Sequence, residues 1–380
     1  MNSVIVSIVS DQTIPNYLFI KQMINYGDEL LFISSKEKED KINFIEKTLN
    51  YKNCNSYSLI LKDEENYKSM YEEVKSCIDK NKSYKVNLTC GTKLMAFAIK
   101  AAFEEYKNVV FFYIPSPKNI IINMNTNENI NIEDSVNIAE YMQLYNNGIN
   151  SLKEPVVSDE NYTNNFYNIF MNDKLSNKDY QIISALRAYR NVKHSINIEE
   201  IENIQEDEET ENKKKIEGLQ EFLNKLNFPQ KKEGMLDKCE IQYLTGGWFE
   251  EYIYFMIKNE IKPTDIALGL SLKNNTQQND LDVVFTYGNK LFVIECKTGI
   301  DGEKIFNEII YKSSSIQTIL LGLSANSYII NCGTLGNKDG NKQRMSDITK
   351  NMKMKYYDKE NLISNKEDIF KDIRKKANNN

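Results

Sequence analysis

The sequence predicts an α/β protein with two folded domains. At 380 residues the chain is longer than a single domain usually is. Its first 126 residues alternate between β-rich runs and helical patterns, whereas residues 241–376 follow the order helix, hairpin, helix, strand, helix. We expect domains at 1–145 and 241–380, joined by a linker and small helical region at 146–240.

The N-terminal elements are predicted from hydrophobic runs and from the proline and glycine residues at their boundaries. Pro15 suits the first turn of a helix that ends at Gly27. "KNIIINMN" (118–125) is predicted to add an edge strand to the sheet. The strands are expected at 3–9, 29–35, 57–61, 84–88 and 108–115, and the later helices at 39–50, 65–80 and 92–107. Strands that alternate with crossover helices predict a mostly parallel, Rossmann-like sheet.

The C-terminal elements are equally ordered. Helix 248–260 has one apolar stripe, formed by Phe249, Tyr252, Ile253, Met256 and Ile257. The stretch "LDVVFTYGNKLFVIECKTG" (281–299) predicts a hairpin. A helix near 303–320, a strand at "SYIINC" and a basic helix from about Lys342 follow.

The sequence in the middle of the chain predicts its structure less clearly. The polar stretches 123–137 and 158–165 resemble linker, and helical patterns occur between about 174 and 228. These helices are compatible with a connecting bundle or with a divergent helix-turn-helix.

Composition excludes several classes of protein. With His194 as the single histidine, no multi-histidine or HExxH zinc site can exist. Six cysteines without CxxC spacing predict reduced thiols and a cytoplasmic protein. The start of the chain lacks the pattern of a signal peptide, and no apolar run is long enough to cross a membrane. A net charge of −6 argues against a general nucleic-acid coat.

Two loops of the predicted N-terminal sheet are candidates for ligand binding. They are "SDQTIPN" after the first strand and "TCGTK" after the fourth, and ligands of such sheets bind beyond the carboxyl ends of strands. Neither loop is a dinucleotide or Walker A motif. Gly91 permits close approach, Thr89 and Thr92 offer hydroxyls, and Lys93 adds charge at a helix N-terminus. An ordinary strand–helix turn, with Thr92 near the cap, explains the same residues.

Charged residues inside the predicted hairpin point to a second site. If Gly288-Asn289 forms a type II′ turn, Asp282 lies opposite Glu295, and Lys297 shares their face. Two facing carboxylates repel each other unless positive charge lies nearby, and oxygen ligands suit Mg²⁺ or Mn²⁺. The alternative is a solvent-facing hairpin end in which Lys297 pairs with Glu295.

Glu250, on the preceding helix, offers a third carboxylate, although an exposed helix glutamate is the simpler interpretation. A metal held by these carboxylates activates water and polarises a phosphoryl oxygen. Lys297 can orient that water or stabilise developing negative charge. These groups together predict phosphodiester hydrolysis.

Asp282 followed by Glu295-Cys296-Lys297 across a hairpin resembles the D…(D/E)xK signature of restriction-endonuclease-like nucleases. The resemblance implies metal binding by Asp282, Glu295, Glu250 and the backbone carbonyl of Cys296.

"SIVSDQTIPNYLFIK" and "NLTCGTKLMA" resemble CARF domains, which sense cyclic oligoadenylates. Cys90 stands where that family commonly has glycine. Together with "GGWFEEY", "LDVVF" and "ECKTG", the chain is similar to the single-CARF nucleases of type III CRISPR systems. That resemblance implies a homodimer, activation by cyclic tetra-adenylate and Mn²⁺- or Mg²⁺-dependent cleavage of DNA or RNA. It also implies a ligand site lined by Gln12, Asn16, Thr89, Cys90, Gly91, Thr92 and Lys93.

Three rival interpretations remain open. Arg187 and His194 fit the loose Rx4–6H pattern of metal-independent HEPN ribonucleases. A CARF domain with a helix-turn-helix at 174–228 predicts a ligand-responsive DNA-binding regulator instead. A restriction-type endonuclease without a nucleotide effector is the third.

Overall fold

A computed structural model gives the structure of most of the chain. It describes residues 3–49, 54–115, 118–157, 159–205, 214–273, 280–299, 311, 326–333, 347, 349–350 and 354–378. The predicted helices near 303–320 and from Lys342 lie almost entirely outside the described residues.

The N-terminal sheet has seven strands, and five helices accompany it. The strands are β1 (Ser3–Ile8), β2 (Glu29–Ser35), β3 (Asn55–Leu61), β4 (Ser83–Asn87), β5 (Val109–Tyr113), β6 (Ile120–Asn123) and β7 (Glu128–Asn131). The helices are α1 (Ile14–Met23), α2 (Glu39–Leu49), α3 (Tyr67–Ser76), α4 (Lys93–Glu104) and α5 (Ile138–Leu144).

The order of this sheet is β3-β2-β1-β4-β5-β6-β7, and β1 to β5 are parallel. The predicted Rossmann-like sheet is therefore confirmed. Strand order reverses between β1 and β4, so the loops after these two strands lie at the switch point of the sheet. The prediction that α1 reaches Gly27 is wrong, because the backbone is already extended at Ile24.

Part of the stretch interpreted as linker at 123–137 is folded. β7 pairs antiparallel with β6 around a turn in which Asn127 has a φ of 62°. β7 is mostly exposed at the edge of the sheet, so its polar sequence hid a strand that pairing stabilises. β6, predicted as the edge, is covered by β7.

The remaining strands form a six-stranded sheet and a small two-stranded one. They are β8 (Ile149–Lys153), β9 (Ile196–Asn197), β10 (Met235–Leu236), β11 (Asp265–Leu272), β12 (Leu281–Tyr287), β13 (Lys290–Lys297), β14 (Asn326–Asn331) and β15 (Lys355–Tyr357). The six-stranded order is β15-β14-β13-β12-β11-β8. β8, from the connecting region, thus completes the C-terminal sheet.

The other helices pack beside this sheet. They are α6 (Glu160–Met171), α7 (Asn177–Leu186), α8 (Ile198–Glu202), α9 (Leu219–Lys225), α10 (Lys238–Gln242), α11 (Trp248–Glu260), α12 (Lys359–Ser364) and α13 (Lys366–Asn378). α11 matches the predicted helix 248–260, and its five stripe residues are all buried. None of the helices in the described part of the chain is long and apolar enough to span a bilayer.

The segment 158–165, interpreted as linker, mostly belongs to α6. Asp159 caps this helix, and Tyr167 stacks on Tyr252 of α11 with ring centroids 3.7 Å apart. The asparagine-rich sequence has weak helix propensity, and aromatic packing against α11 compensates for it.

One hydrophobic core joins the two sheets. α5 lies between α2 and the strands β11 and β12, and residues of α1, α5, β11, β12 and β13 share one buried cluster. The hairpin of interest is therefore packed against the N-terminal domain.

Candidate functional site

The β12–β13 hairpin has the predicted register but a different turn. Val283 pairs with Ile294 and Tyr287 with Lys290, as the pairing arithmetic requires. Gly288 and Asn289 have φ values of 57° and 60°, so the turn is type I′ rather than type II′. Asparagine tolerates the left-handed conformation, and both turns have two-residue loops, which is why the register is unaffected.

The structure brings Asp282, Glu295 and Lys297 together at the end of this hairpin. Asp282 and Glu295 are only 7% and 2% exposed. The backbone N–H of Cys296 donates to Asp282 Oδ2 at 2.7 Å, and Lys297 Nζ donates to Glu295 Oε1 at 2.6 Å. A solvent-facing hairpin end is therefore excluded, although its ion pair between Lys297 and Glu295 is present.

Electrostatics ties these groups into one cluster. Burial opposes the charge on Lys297, but the carboxylates of Asp282 and Glu295 hold its pKa above the ordinary value. Burial also raises the pKa of the Cys296 thiol, and Asp282 reinforces that shift. Lys297 therefore remains a cation beside two buried carboxylates.

Glu250, in the first turn of α11, faces the same cluster. Its side chain is half-buried rather than exposed, and burial raises its pKa. The cations Lys153, Lys297 and Arg190 oppose this shift, whereas Glu295 adds to it. The structure thus places all four predicted catalytic side chains in one region.

The donor set suits a hard cation that keeps part of its water shell. Among the described residues, no three histidine, cysteine, aspartate or glutamate side chains lie close enough together to hold a metal ion by themselves. Mg²⁺ commonly binds through one or two carboxylates plus waters and substrate phosphates, so two buried carboxylates fit it without such a group of three.

Sequence reasoning missed two cations of the connecting region, Lys153 and Arg190. Lys153 ends β8, and its Nζ lies 3.2 Å from Asp280 Oδ2, two residues before Asp282. Arg190 follows the 3-10 turn Arg187–Tyr189. No local motif marks either residue, and only the pairing of β8 with β11 and the packing of the helices bring them to the site.

In the N-terminal domain, the two candidate loops meet at the switch point. Gly91, Thr92 and Lys93 are exposed, and Gln12 is half-buried. The Thr92 side chain caps α4 by accepting from Met95 N at 3.2 Å, as the ordinary-turn interpretation predicts. This cap leaves the neighbouring glycine and lysine facing outward.

Asn16, Thr89 and Cys90 support the loops from beneath. Asn16 is fully buried and donates to the carbonyl of Ile8 at 3.0 Å. Thr89 Oγ1 accepts from Ile114 N at 2.8 Å. Cys90 is buried against the carbonyl of Gln12, and this burial raises the pKa of its thiol to about 12. These side chains hold the shape of the loops.

Arg187 and His194 form no comparable site. Both side chains are exposed, and no hydrogen bond or ion pair in the described part of the chain joins them. The geometry gives the HEPN interpretation no support.

Two family models match separate parts of the chain. Residues 4–141 match the Card1 CARF domain, and residues 237–357 match the Card1-like endonuclease domain. No curated protein sequence matches the chain.

Solved structures share the fold along the whole chain. Can2 from Sulfobacillus thermosulfidooxidans, in complex with cyclic tetra-adenylate, aligns with a TM-score of 0.71 and 20% identity over 99% of this chain and 100% of its own. Protein VC1899 from Vibrio cholerae aligns with a TM-score of 0.75 and 15% identity, over 100% and 99%.

A type III CRISPR defence DNA nuclease activated by cyclic oligoadenylate aligns with a TM-score of 0.52 and 14% identity, over 88% of this chain and 46% of its own. The fold shared with Can2 and VC1899 extends through residues 142–236, which neither family model covers. The chain therefore combines an N-terminal domain of the Card1 CARF family with a C-terminal domain of the Card1-like endonuclease family.

Proposed function

We propose that this protein is a metal-dependent endonuclease, activated by cyclic tetra-adenylate, that cleaves DNA or RNA in type III CRISPR defence. The observation that carries the chemistry is the cluster of buried Asp282 and Glu295 with half-buried Lys297 and Glu250, in a domain of an endonuclease family. The activator is inferred from the CARF family match and from the fold shared with Can2.

The carboxylates and the lysine divide the proposed chemistry. Asp282, Glu295 and the Cys296 carbonyl would hold Mg²⁺ or Mn²⁺ directly and Glu250 through a bound water; the ion when bound supplies an activated water and polarises the scissile phosphate. Lys297, fixed by Glu295, presents its ammonium group to the attacking water or to the developing charge. The apolar hairpin around them limits the access of bulk water and strengthens each electrostatic interaction.

The activator would bind at the switch point of the N-terminal sheet. Lys93 at the N-terminus of α4 and the open backbone at Gly91 suit phosphate groups. A cyclic ligand with two-fold symmetry fits a homodimer in which both subunits present these loops. We also place the protein in the cytoplasm, since all six cysteines are free thiols.

Cleavage assays test this proposal. The wild-type protein is incubated with labelled DNA or RNA and Mn²⁺, with and without each cyclic oligoadenylate, and in parallel with EDTA. We expect cleavage only with both metal and cyclic tetra-adenylate. We expect Glu295→Gln to lower the rate at least about a hundredfold, and the exposed Glu233→Gln to leave it unchanged.

The rival functions predict other outcomes. Cleavage that survives EDTA and is lost in His194→Ala would establish a HEPN-type ribonuclease. Sequence-specific duplex binding without any cleavage would establish a regulator. Cleavage indifferent to cyclic tetra-adenylate and to Lys93→Ala would establish an endonuclease without this effector.

A further inference from the structure

Two cations from the connecting region flank the carboxylate cluster and have no assigned role. Lys153 and Arg190 lie between residues 141 and 237, which neither family model covers. They belong to different elements, and both lie at the open end of the β12–β13 hairpin, where Asp282 and Glu295 are found.

Lys153 lies beside the start of β12. The backbone of Lys153 pairs with Leu268 of β11, and the Lys153 Nζ lies 3.2 Å from Asp280 Oδ2. The aliphatic part of the side chain passes directly over Gly269, where an added Cβ would collide with Lys153 Cδ. Gly269 has a φ of 55°, so the backbone there is suited to glycine and leaves room for the lysine. The ammonium group is therefore directed toward the segment that carries Asp282.

Arg190 lies beside the end of β13. Gln242 Nε2 donates to the Arg190 carbonyl at 3.4 Å, which holds this part of the chain against α10. A Cβ at Gly246 would lie 3.9 Å from Arg190 Nη2 and 3.4 Å from Thr298 Oγ1. Thr298 directly follows Lys297, so the guanidinium group lies near the carboxyl end of the ExK strand.

Arg190 is partly desolvated, and the part of the chain that the structure describes places no carboxylate close to it. Among the residues that the structure describes, no aspartate or glutamate oxygen lies within 4 Å of its guanidinium group. Burial lowers its pKa, while Glu250 acts in the opposite direction from farther away. A half-buried guanidinium group without an ion pair is suited to bind an anion that arrives with the substrate.

We propose that Lys153 and Arg190 bind two backbone phosphates of the nucleic acid, one on each side of the scissile bond. Both cations lie at the open end of the hairpin, Lys153 on the side of β8 and β11 and Arg190 beyond the carboxyl end of β13, so they reach the carboxylate cluster from two directions. Arg190 supplies a planar guanidinium group for one phosphate. Lys153 releases its ion pair with Asp280 and binds the other phosphate. This inference rests on the proposed nuclease function and assigns its substrate contacts.

Salt-dependent binding tests the assignment independently of cleavage. Affinity for a labelled DNA or RNA oligonucleotide is measured in the Glu295→Gln background, with cyclic tetra-adenylate, over a range of salt concentrations. Lys153→Gln and Arg190→Gln are each expected to weaken binding about tenfold and to reduce the slope of log K against log salt by about 0.7 to 0.9. Arg190→Lys should recover part of the slope, because it keeps the charge.

Lys193→Gln, an exposed lysine in the turn after Arg190, serves as the matched control and should change neither affinity nor slope. An unchanged slope in both Lys153→Gln and Arg190→Gln would overturn the assignment, even if their melting temperatures fall. If the Glu295→Gln protein binds no nucleic acid at all, the proposed nuclease function fails as well, so the two failures are distinguishable.

Discussion

The two buried carboxylates of the hairpin are compatible because each has its own donor. Asp282 accepts from the backbone N–H of Cys296, and Glu295 accepts from Lys297 Nζ. Hydrogen bonds to the charged form stabilise a carboxylate. The protein itself therefore offsets part of the repulsion between Asp282 and Glu295 that the sequence predicts a metal cation to offset. The same donors orient both carboxylates before any cation arrives.

Gly91 determines the backbone conformation of the loop at residues 89–93, which we call the sensor loop. It has a φ of 80°, and an added Cβ would lie 2.6 Å from Ile8 Cγ2. We expect Gly91→Ala to lower stability by about 1 to 2 kcal/mol through backbone strain alone. The displaced loop should also weaken cyclic tetra-adenylate binding at least tenfold. Thermal unfolding and ligand titration measure the two effects.

Gly234→Ala is the matched control for this prediction. Gly234 has a φ of 71° but nothing within 4 Å of an added Cβ. The Gly234→Ala variant should therefore show the backbone strain without a loss of ligand affinity. Equal ligand affinity in Gly91→Ala and the wild type would contradict the role assigned to this loop.

At the scale of elements, α4 has apolar side chains on both its buried face and its exposed face. Its apolar residues Ala98 and Ala102 are buried, but Leu94 and Phe97 are 37% and 65% exposed. A large exposed aromatic beside the sensor loop is a typical interface residue. α4 thus has one face on its own sheet and another suited to a second copy of the chain.

We expect Phe97→Ser to weaken the proposed homodimer. Burying one phenylalanine contributes about 1.5 to 3 kcal/mol, and a two-fold interface uses it twice. The dimer dissociation constant should therefore rise at least about a hundredfold. Sedimentation analysis measures it, and Tyr26→Ser, which removes a 90% exposed aromatic elsewhere, is the control. A dissociation constant equal to that of the wild type would place the interface on another surface.

At the scale of the whole molecule, the β12–β13 hairpin is anchored in the N-terminal domain. Asn289 Oδ1 accepts from Val136 N at 3.0 Å, and its Nδ2 donates to Asn119 and to the carbonyl of Asp134, both at 3.3 Å. The hairpin turn also lines a small pocket of about 80 Å³ that extends to Gln12. We therefore expect a change at the sensor loop to reach β12 and β13 through these packed side chains.

Asn289→Gly should uncouple the two domains. Glycine keeps the left-handed turn but removes all three side-chain hydrogen bonds. We expect the stimulation of cleavage by cyclic tetra-adenylate to fall at least about fivefold, with ligand-independent activity retained. Asn127→Gly, at the left-handed position of the β6–β7 turn, is the control. Undiminished stimulation in Asn289→Gly would show that coupling uses another route.

The sequence alone determined the local features of this protein. The hairpin register followed from a two-residue turn and the period of two along each strand, and α11 followed from its apolar stripe. The parallel N-terminal sheet followed from alternating strands and helices. These features depend on residues that are neighbours in the chain, so periodicity and turn chemistry were sufficient to predict them.

Only the tertiary structure decided what distant segments do together. β8 and α6 have polar sequences that resemble linker, and they become ordered because β11 and α11 pack against them. Other contacts between distant segments bury Asn16 beside Asn87, and the pairing of β8 and the packing of the helices bring Lys153 and Arg190 to the carboxylates. No local pattern encodes such contacts, because their free energy comes from surfaces that meet only after the chain has folded.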